Sequence, residues 1–222
     1  MFKSKNFFYF KYFENSNLNK NFILDNKLKI TNEIEEKVTK QKAIELFTTN
    51  KFNDLLKTAG SFENLRQIHY FLFSDIYDWA GQIRQINISK NNFTFANCSY
   101  LDINLQKIEQ MPQDNFINII KKYVEMNIAH PFREGNGRAM RLWLDLIIKK
   151  ELNKIIDWQQ ISKQDYLLAM ERSPIKDIEI RYLILDALID DTNDKKVYMR
   201  NFDVSSFYEG LADFKTENIK DI

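Results

Sequence analysis

The sequence is poor in the residues that break helices and in those that build disulfides or metal clusters. Its 222 residues include only 5 Gly, 3 Pro, 1 Cys and 2 His. The single cysteine, Cys98, excludes an intramolecular disulfide, so the default location is a reducing one, the cytoplasm. No stretch reaches the roughly 18 consecutive apolar residues of a membrane span, and the start "MFKSKNFFYFKYFENSNL" lacks the apolar segment of a signal peptide. We therefore expect no membrane partner.

An excess of charge of one sign is also lacking. The 32 Lys and Arg residues balance 31 Asp and Glu residues, so no basic field attracts DNA or RNA. Direct nucleic-acid binding is therefore not expected. With 44% hydrophobic and 28% charged residues the composition is typical of a folded globular chain. The few Gly and Pro residues favour an all-α, mainly helical fold built around one domain.

Apolar residues recur at three- and four-residue steps along most of the chain, which predicts helices. Thr31 and Ser61 are the predicted N-caps of the first two helices, and Gly81 is the predicted end of the second. Residues 1–30 give no clean period and are predicted to be an irregular arm. The predicted helices are 31–47, 61–80, 112–128, 138–152, 162–172 and 175–189, followed by a linker at 191–201, a short helix at 202–214 and a tail at 215–222.

A different pattern lies between the second and third helices. Ile86 and Ile88 alternate with polar residues, as do Phe93 and Phe95, on either side of the turn-like "KNN". This predicts a β-hairpin within about residues 83–96. A two-stranded hairpin is marginal by itself, so it must lean on the helical body. An ordinary surface connection is an equal alternative at this point.

The stretch "HPFREGNGR" concentrates two of the five glycines and one of the two histidines in nine residues. Gly135 and Gly137 allow a close backbone approach, and the amides that start the next helix form an anion site. Arg138 and Arg141 lie near that helix N-terminus, where a cation is unfavourable unless an anion accompanies it. A polyphosphate would satisfy both, since a guanidinium can bind two oxygens at once.

Two further side chains complete this candidate site. Glu134 offers the single carboxylate with which Mg²⁺ is often held beside a nucleotide's phosphates. His130 has an unperturbed pKa near ~6.5, which suits a general base. Each residue also has a structural interpretation: Arg141 could pair with Asp145, Asn136 could cap a helix, and His130 could be a core histidine. His69, alone on an aromatic helix, is best interpreted as structural.

These residues match a known family. His130, Phe132, Glu134, Gly135, Asn136, Gly137, Arg138 and Arg141 fill all eight specified positions of the Fic-domain motif H-x-F-x-[D/E]-G-N-G-R-x-x-R. The upstream segment "IHYFLFSDIYDWAGQIR" also resembles the family's helix that leads to its flap. The resemblance continues downstream to about residue 190, which makes 31–190 the expected catalytic domain.

The resemblance implies a helical domain that transfers AMP from ATP to a Tyr, Ser or Thr hydroxyl of a target protein. In that case His130 would be the base and Glu134 would hold Mg²⁺. Asn136 and the Gly135 and Gly137 amides would bind the α-phosphate, Arg138 and Arg141 the outer phosphates, and Phe132 would anchor the loop. The hairpin would be a flap that aligns the target segment, through Asn87, Ile88, Phe93 and Phe95.

Near the C-terminus, "SSFYEG" is similar to the inhibitory motif [S/T]-x-x-x-E-[G/N] of Fic proteins, through Ser205, Glu209 and Gly210. The analogy implies that Glu209 pairs with Arg141 and keeps ATP in a non-productive pose. The alternative is that Ser206 and Glu209 form a capping box at the start of a short helix. Gly210, a poor helix residue, weighs against this alternative, because its presence is easier to understand if something approaches closely there.

Other functions stay open at this level. Relatives of this fold transfer UMP, phosphocholine or phosphate instead of AMP, and a non-catalytic nucleotide-binding module would need no base at His130. A metal-dependent hydrolase fits less well, because no second histidine lies near His130. The sequence leaves the target and the oligomeric state open, including a homo-oligomer.

Overall fold

The protein was analysed as a computed structural model, which describes residues 21–90, 93–190 and 194–219. This part of the chain is mostly helical, as predicted, with nine α-helices and two small antiparallel sheets. The helices are α1 (Asn21–Thr48), α2 (Lys51–Lys57), α3 (Phe62–Phe73), α4 (Leu101–Glu109), α5 (Phe116–Ala129), α6 (Asn136–Leu152), α7 (Lys163–Arg172), α8 (Ile178–Asp186) and α9 (Lys195–Tyr208).

Two pairs of short strands complete the fold. Strands β1 (Ser89–Lys90) and β2 (Phe93–Thr94) form the predicted hairpin, and its predicted turn at 91–92 lies outside the described residues. The backbone N–H of Phe95 also donates to the Ile88 carbonyl at 3.3 Å, which extends the pairing by one step. Strands β3 (Lys154–Ile156) and β4 (Leu188–Asp190) form a second sheet that the sequence did not predict.

Helix α6 lies at the centre of the fold. Its residues from Arg138 to Ile148 are all buried, which agrees with its apolar sequence on every side. Helices α3, α5 and α9 pack around it. Because the first turn of α6 is the predicted anion site, the site is attached to the most buried element of the protein.

Several predicted boundaries are wrong. Helix α1 already begins at Asn21, so the arm is helical from there, Thr31 lies inside the helix and not at its N-terminus, and residues 1–20 lie outside the described residues. Ser61 does cap α3, but that helix ends at Phe73, where turns replace it well before Gly81. Helix α8 ends at Asp186 because the chain then leaves to form strand β4.

The C-terminal helix also differs from its prediction. Helix α9 begins at Lys195, within the predicted linker, and ends at Tyr208, so it replaces the predicted helix at 202–214. Asp194 caps it by accepting a hydrogen bond from the Lys196 amide, and residues 191–193 and 220–222 are not described. In the described part of the chain, no helix has the length and apolar character needed to cross a bilayer.

Candidate active site

An open cavity of about 570 Å³ lies where the hairpin, the loop between α5 and α6, α7 and the end of α9 meet. We call residues 130–137 the motif loop and residues 205–211 the C-terminal segment. Most of the predicted site residues line the cavity together: Asn87, Ile88, Phe93, Phe95, His130, Glu134, Gly135, Asn136, Gly137, Arg141 and Glu209. Phe132, Arg138, Ser205 and Gly210 are not among its lining residues.

His130 ends helix α5 in a left-handed conformation, with a φ of 47° that is uncommon for a residue with a side chain. Arg84 stabilises this helix end, because its Nε donates to the His130 carbonyl at 2.8 Å and its Nη2 to the Ala129 carbonyl at 3.1 Å. A guanidinium complements the negative C-terminal end of a helix dipole. The backbone of the candidate base is therefore fixed by a buried arginine.

The imidazole of His130 is oriented by two further contacts. Its Nδ1 lies 3.3 Å from the Asn127 carbonyl, an acceptor, so the proton belongs on Nδ1 and the Nε2 lone pair is left available. Phe95 of the hairpin stacks on the ring, with 3.7 Å between centroids and an interplanar angle of 18°. Burial lowers the pKa of His130 to about 3 despite the Asn127 carbonyl, so the ring is neutral at pH 7 and can accept a proton.

The shape of the motif loop is set by Asn136 and Phe132. The Phe132 N–H donates to Asn136 Oδ1 at 2.9 Å, and Asn136 Nδ2 donates to the Phe132 carbonyl at 2.8 Å. Phe132 itself is fully buried. The N-cap of α6 is Gly135, with a φ of 78°, so Asn136 is not an ordinary helix cap. Its side chain instead forms two hydrogen bonds with the Phe132 backbone inside the motif loop. The sequence did not predict this role.

Glu134 lines the cavity beside the amides of the loop. Its Oε1 accepts a hydrogen bond from the Gly135 N–H at 3.3 Å. Among the described residues no group of three or more His, Cys, Asp and Glu side chains is placed to hold a metal ion. A site with one carboxylate does not fit a metal held by protein alone, but it fits Mg²⁺, which takes its remaining ligands from waters and phosphates.

Arg141 is held by the C-terminal segment. Its Nε donates to Ser205 Oγ at 2.7 Å, and its Nη2 donates to the Ser205 carbonyl and to Glu209 Oε1, both at 2.9 Å. Asp145, the alternative partner, instead accepts from Trp158 Nε1 at 2.8 Å. The structure therefore contains the contact between Glu209 and Arg141 that the sequence resemblance implied.

The carboxylate of Glu209 is also near a second cation. Lys90 of the hairpin lies 3.3 Å from Glu209 Oε2. Burial by itself raises the pKa of the Glu209 carboxyl, but the charges of Arg141 and Lys90 outweigh it and lower the pKa to about 2. The pair thus stays charged at any pH near neutrality. A Cβ on Gly137 would lie 2.1 Å from Glu209 Oε1, so this glycine makes room for the carboxylate.

Glu209 is the C-cap of α9 and not a residue of its first turn, so the alternative interpretation, a capping box, is wrong. Ser206 instead donates to the Phe202 carbonyl within the helix. Gly210 has a φ of 85°, its N–H donates to the Phe207 carbonyl, and the Leu211 N–H donates to the Ser206 carbonyl, which is a Schellman end. Nothing lies within 4 Å of a Cβ built on Gly210, so the glycine supplies the left-handed turn and not a close approach.

The chain that follows α9 is attached to α1. Glu36 accepts hydrogen bonds from the backbone N–H groups of Asp213 and Phe214, at 3.1 and 3.0 Å. Lys40 donates to the Phe214 carbonyl and forms ion pairs with Glu36 at 2.8 Å and with Asp203 of α9 at 3.1 Å. Both α1 side chains are almost completely buried. Helix α1 therefore holds α9 and the chain that follows it through contacts that do not involve Arg141.

Arg138, which the sequence predicted to bind the phosphates together with Arg141, is not among the residues that line the cavity. It is 1% exposed and forms a buried ion pair with Glu35 of α1. Glu35 also accepts a hydrogen bond from the Tyr77 hydroxyl at 2.6 Å. The guanidinium lies over the Phe73 ring, 4.8 Å from its centroid. Sequence reasoning could not find Glu35, because a periodic amphipathic helix does not identify which acid faces the site.

Further cavity residues were also missed. Helix α7 contributes Tyr166, Leu167, Met170 and Glu171, and the hairpin contributes Lys90. The Tyr166 ring lies 5.4 Å from the Arg141 guanidinium. Tyr166, Leu167 and Met170 give the cavity an apolar wall on the α7 side. The only available signal was the position of Lys90 beside the predicted flap residues.

Part of the chain, including the motif loop, is similar to known proteins. Residues 60–148 match the Fic/DOC family. The chain is 30% identical over 162 residues to the protein adenylyltransferase VbhT of Bartonella schoenbuchensis, which is 66% of this chain and 32% of VbhT. It is 25% identical over 144 residues to a probable protein adenylyltransferase Fic of Escherichia coli, which is 60% of this chain and 72% of that protein. The chain thus spans about a third of VbhT.

Solved structures show the same fold. The N-terminal Fic domain of a Bartonella effector protein from Bartonella sp. AR 15-3 superposes with a TM-score of 0.62 at 16% identity, over 72% of this chain and 82% of that one. The N-terminal Fic domain of a Bartonella quintana effector, solved with bound ADP, gives 0.59 at 21% identity, over 74% and 87%. The chain therefore shares the fold of these solved Fic domains, and residues 60–148, which match the Fic/DOC family, contain all eight motif positions.

Proposed function

We propose that the protein is an adenylyltransferase that transfers AMP from ATP to a Tyr, Ser or Thr hydroxyl of a target protein, and to itself. The observation that carries this proposal is the convergence in one cavity of a neutral imidazole, a carboxylate, the amide-rich start of α6 and Arg141. The same cavity opens along the hairpin. A site that only binds nucleotide would not need the available Nε2 of His130.

In the proposed reaction, the target hydroxyl oxygen attacks the α-phosphorus of ATP. The new bond joins that oxygen to the α-phosphorus, the bond from the α-phosphorus to its bridging oxygen breaks, and pyrophosphate leaves. Nε2 of His130 accepts the hydroxyl proton, since Nδ1 faces the Asn127 carbonyl. No residue of the chain becomes covalently attached, so catalysis consists of positioning and charge stabilisation.

The motif loop would bind the α-phosphate through the Gly135 and Gly137 amides and the positive end of α6. Asn136 would contribute by holding the loop in this shape through its contacts with Phe132. Glu134 would hold Mg²⁺, which when bound neutralises charge between phosphate oxygens. Arg141, which lines the cavity, would bind the outer phosphates, and Arg138 would join if it leaves Glu35.

The two remaining walls have separate roles in the proposal. The hairpin would align the target segment by main-chain pairing along Asn87 and Ile88, with Phe93 and Phe95 beside the reacting hydroxyl. On the α7 side, the apolar wall of Tyr166, Leu167 and Met170 would receive the nucleobase.

The C-terminal segment would act as an inhibitor in the same chain. Glu209 and Ser205 occupy three donor directions of Arg141, which is then not available to the γ-phosphate. ATP could still enter, but its outer phosphates would lack their cation, and the α-phosphorus would not be aligned for attack. We therefore expect the unmodified protein to be almost inactive.

The test is label transfer from ATP that carries its tracer on the α-phosphate, in the presence of Mg²⁺. We expect Glu209→Gly to label itself and lysate proteins at least about a hundredfold faster than the wild type, the size of effect that losing alignment has on a rate. The double variant Glu209→Gly/His130→Ala should be inactive. Glu209→Gln, which keeps the size of the side chain but removes the charge, should give an intermediate rate.

Two controls make the result interpretable. Thermal unfolding and ATP binding must show that each variant is folded and binds nucleotide. Tracer-labelled UTP in parallel separates AMP transfer from UMP transfer. A folded Glu209→Gly variant that binds ATP but transfers no label would refute the adenylyltransferase assignment and favour a binding module.

A further inference from the structure

His69 of α3 is fully buried and lies next to the motif loop without lining the cavity. Both of its ring nitrogens contact the backbone. Nδ1 lies 2.9 Å from the Gly81 N–H nitrogen, and Nε2 lies 2.8 Å from the Glu134 carbonyl oxygen. The imidazole therefore connects two chain segments that are far apart in sequence, one before the hairpin and one inside the motif.

These two contacts fix the position of the ring proton. An amide N–H can only donate, so Nδ1 must accept from Gly81 and carries no proton. A carbonyl can only accept, so Nε2 must carry the proton and donate it to Glu134. Neither nitrogen is then free to bind a metal or to act as a base, which excludes both catalytic interpretations of His69.

The hydrogen bond from His69 reaches the motif loop at Glu134, the proposed ligand of Mg²⁺. Glu134 has its carbonyl held by His69, while its carboxylate accepts from the Gly135 N–H. The peptide that follows turns into the left-handed conformation of Gly135. The Phe132 ring packs on the imidazole, with 3.9 Å between centroids, and a Cβ on Gly135 would lie 2.5 Å from the Phe73 ring. The motif loop thus packs directly against His69 and Phe73 of helix α3.

We propose that His69 is a positioning residue: by donating Nε2–H to the Glu134 carbonyl, it sets the direction in which the Glu134 carboxylate meets the metal-bound nucleotide. This inference rests on the proposed function, in which Glu134 holds Mg²⁺. If His69 were purely structural, it would only stabilise the fold, and losing either of its two hydrogen bonds would have the same effect on Mg²⁺ binding. A positioning histidine needs the bond to Glu134 in particular.

Two substitutions separate these hydrogen bonds. His69→Asn retains an acceptor near the Nδ1 position for Gly81, but it loses the donor to Glu134. His69→Gln is long enough to place an amide N–H near the Nε2 position, but it loses the contact with Gly81. Both replace the buried imidazole with an amide, so each is the matched control of the other. Both are made in the Glu209→Gly background, where activity is measurable.

We expect His69→Asn to raise the Mg²⁺ concentration for half-maximal transfer about tenfold, while His69→Gln changes it less than threefold. A binding measurement without turnover gives the second readout: Mg²⁺ should strengthen ATP binding by the Gln variant much more than by the Asn variant, whereas ATP binding without metal should be equal. Equal Mg²⁺ dependence of the two variants, at similar melting temperatures, would overturn the positioning role.

Two outcomes outside the Mg²⁺ titration remain informative. If the parent Glu209→Gly variant transfers no AMP, the proposed function fails, and the ATP-binding comparison still tests the link between His69 and Glu134. A nitrogen–proton correlation spectrum of the wild type tests the tautomer directly, and the chain has only two histidines to assign. A protonated Nδ1 on His69 would contradict the proposed contact.

Discussion

The motif loop and the C-terminal segment meet at Arg141 but are held in different ways. The loop has buried contacts of its own, the pair of hydrogen bonds between Phe132 and Asn136, four residues apart, in addition to the contacts that it receives from His69 and Arg84. The C-terminal segment is held by contacts between distant residues, such as that of Glu209 with Arg141, 68 residues away. The loop contacts are buried, whereas the Glu209 side chain is 19% exposed.

This difference indicates that the motif loop keeps its conformation, whereas the contact of Glu209 with Arg141 can open and close. Opening the motif loop would leave buried backbone groups without partners, at a cost of about 1–3 kcal/mol for each. Withdrawing Glu209 instead exposes charged groups that water can solvate. Glu209 is also a negative charge at the C-terminal end of a helix, where the dipole disfavours it unless a cation such as Arg141 is present.

The largest effect should come from breaking the loop at Asn136. Asn136→Ala removes two buried hydrogen bonds and leaves the Phe132 N–H and carbonyl without partners, so we expect a loss of about 2–4 kcal/mol in the free energy of unfolding. In the Glu209→Gly background, transfer should fall about a hundredfold because the anion site loses its shape. Calorimetry and label transfer measure both.

The control for this change is Asn118→Ala, which removes a partly exposed asparagine that contacts Asp114. It should alter the melting temperature and the transfer rate very little. If Asn136→Ala were as stable and active as this control, the loop would not depend on its internal contacts, and the comparison with the C-terminal segment would fail.

A smaller effect, of opposite sign, is expected from Lys40→Met. This change removes the cation that joins α1 to Asp203 and Phe214, without touching Arg141 or Glu209. Weakening the attachment of α9 by about 1.4 kcal/mol increases the detached fraction about tenfold. We therefore expect the otherwise wild-type protein to transfer about ten times more AMP, together with faster proteolysis after α9.

Lys42→Met is the matched control, since Lys42 lies on the same helix but pairs with the exposed Asp75 at 2.9 Å. It should leave the rate unchanged within about twofold, as expected for a surface ion pair. If Lys40→Met simply unfolded the protein, its rate of AMP transfer would fall. An increased rate therefore cannot result from unfolding. An unchanged transfer rate together with unchanged proteolysis would show that α1 does not hold α9 in its inhibitory position.

The smallest effect should follow from changing the end of α9. Gly210→Ala puts a side chain into a left-handed conformation, which costs about 1 kcal/mol although the Cβ meets no neighbour. Because this strain is relieved when the end of α9 unwinds, we expect about a fivefold rise in transfer. Gly210→Asn, which tolerates this conformation better, should give a smaller rise. An Asn variant more active than the Ala variant would contradict this explanation.

The sequence predicted the centre of the site better than its surroundings. The spacing of the motif placed His130, Glu134 and Arg141 around one cavity, and the resemblance correctly indicated the contact of Glu209 with Arg141. It placed Arg138 in the same cavity, whereas the structure pairs that residue with Glu35. The pairing of β3 with β4 was also missed, because strands this short and this far apart have no local signal.

The sequence by itself determined the mainly helical fold and the chemical groups of the site, because these depend on local spacing and side-chain chemistry. The tertiary structure decided which partner each charged group received. Arg138 and Arg141 are three residues apart on one helix, yet one is buried against Glu35 of α1 and the other faces the cavity with Glu209. That choice depends on the packing of α1 and α9 around α6, since an ion pair forms only where distant helices bring opposite charges together.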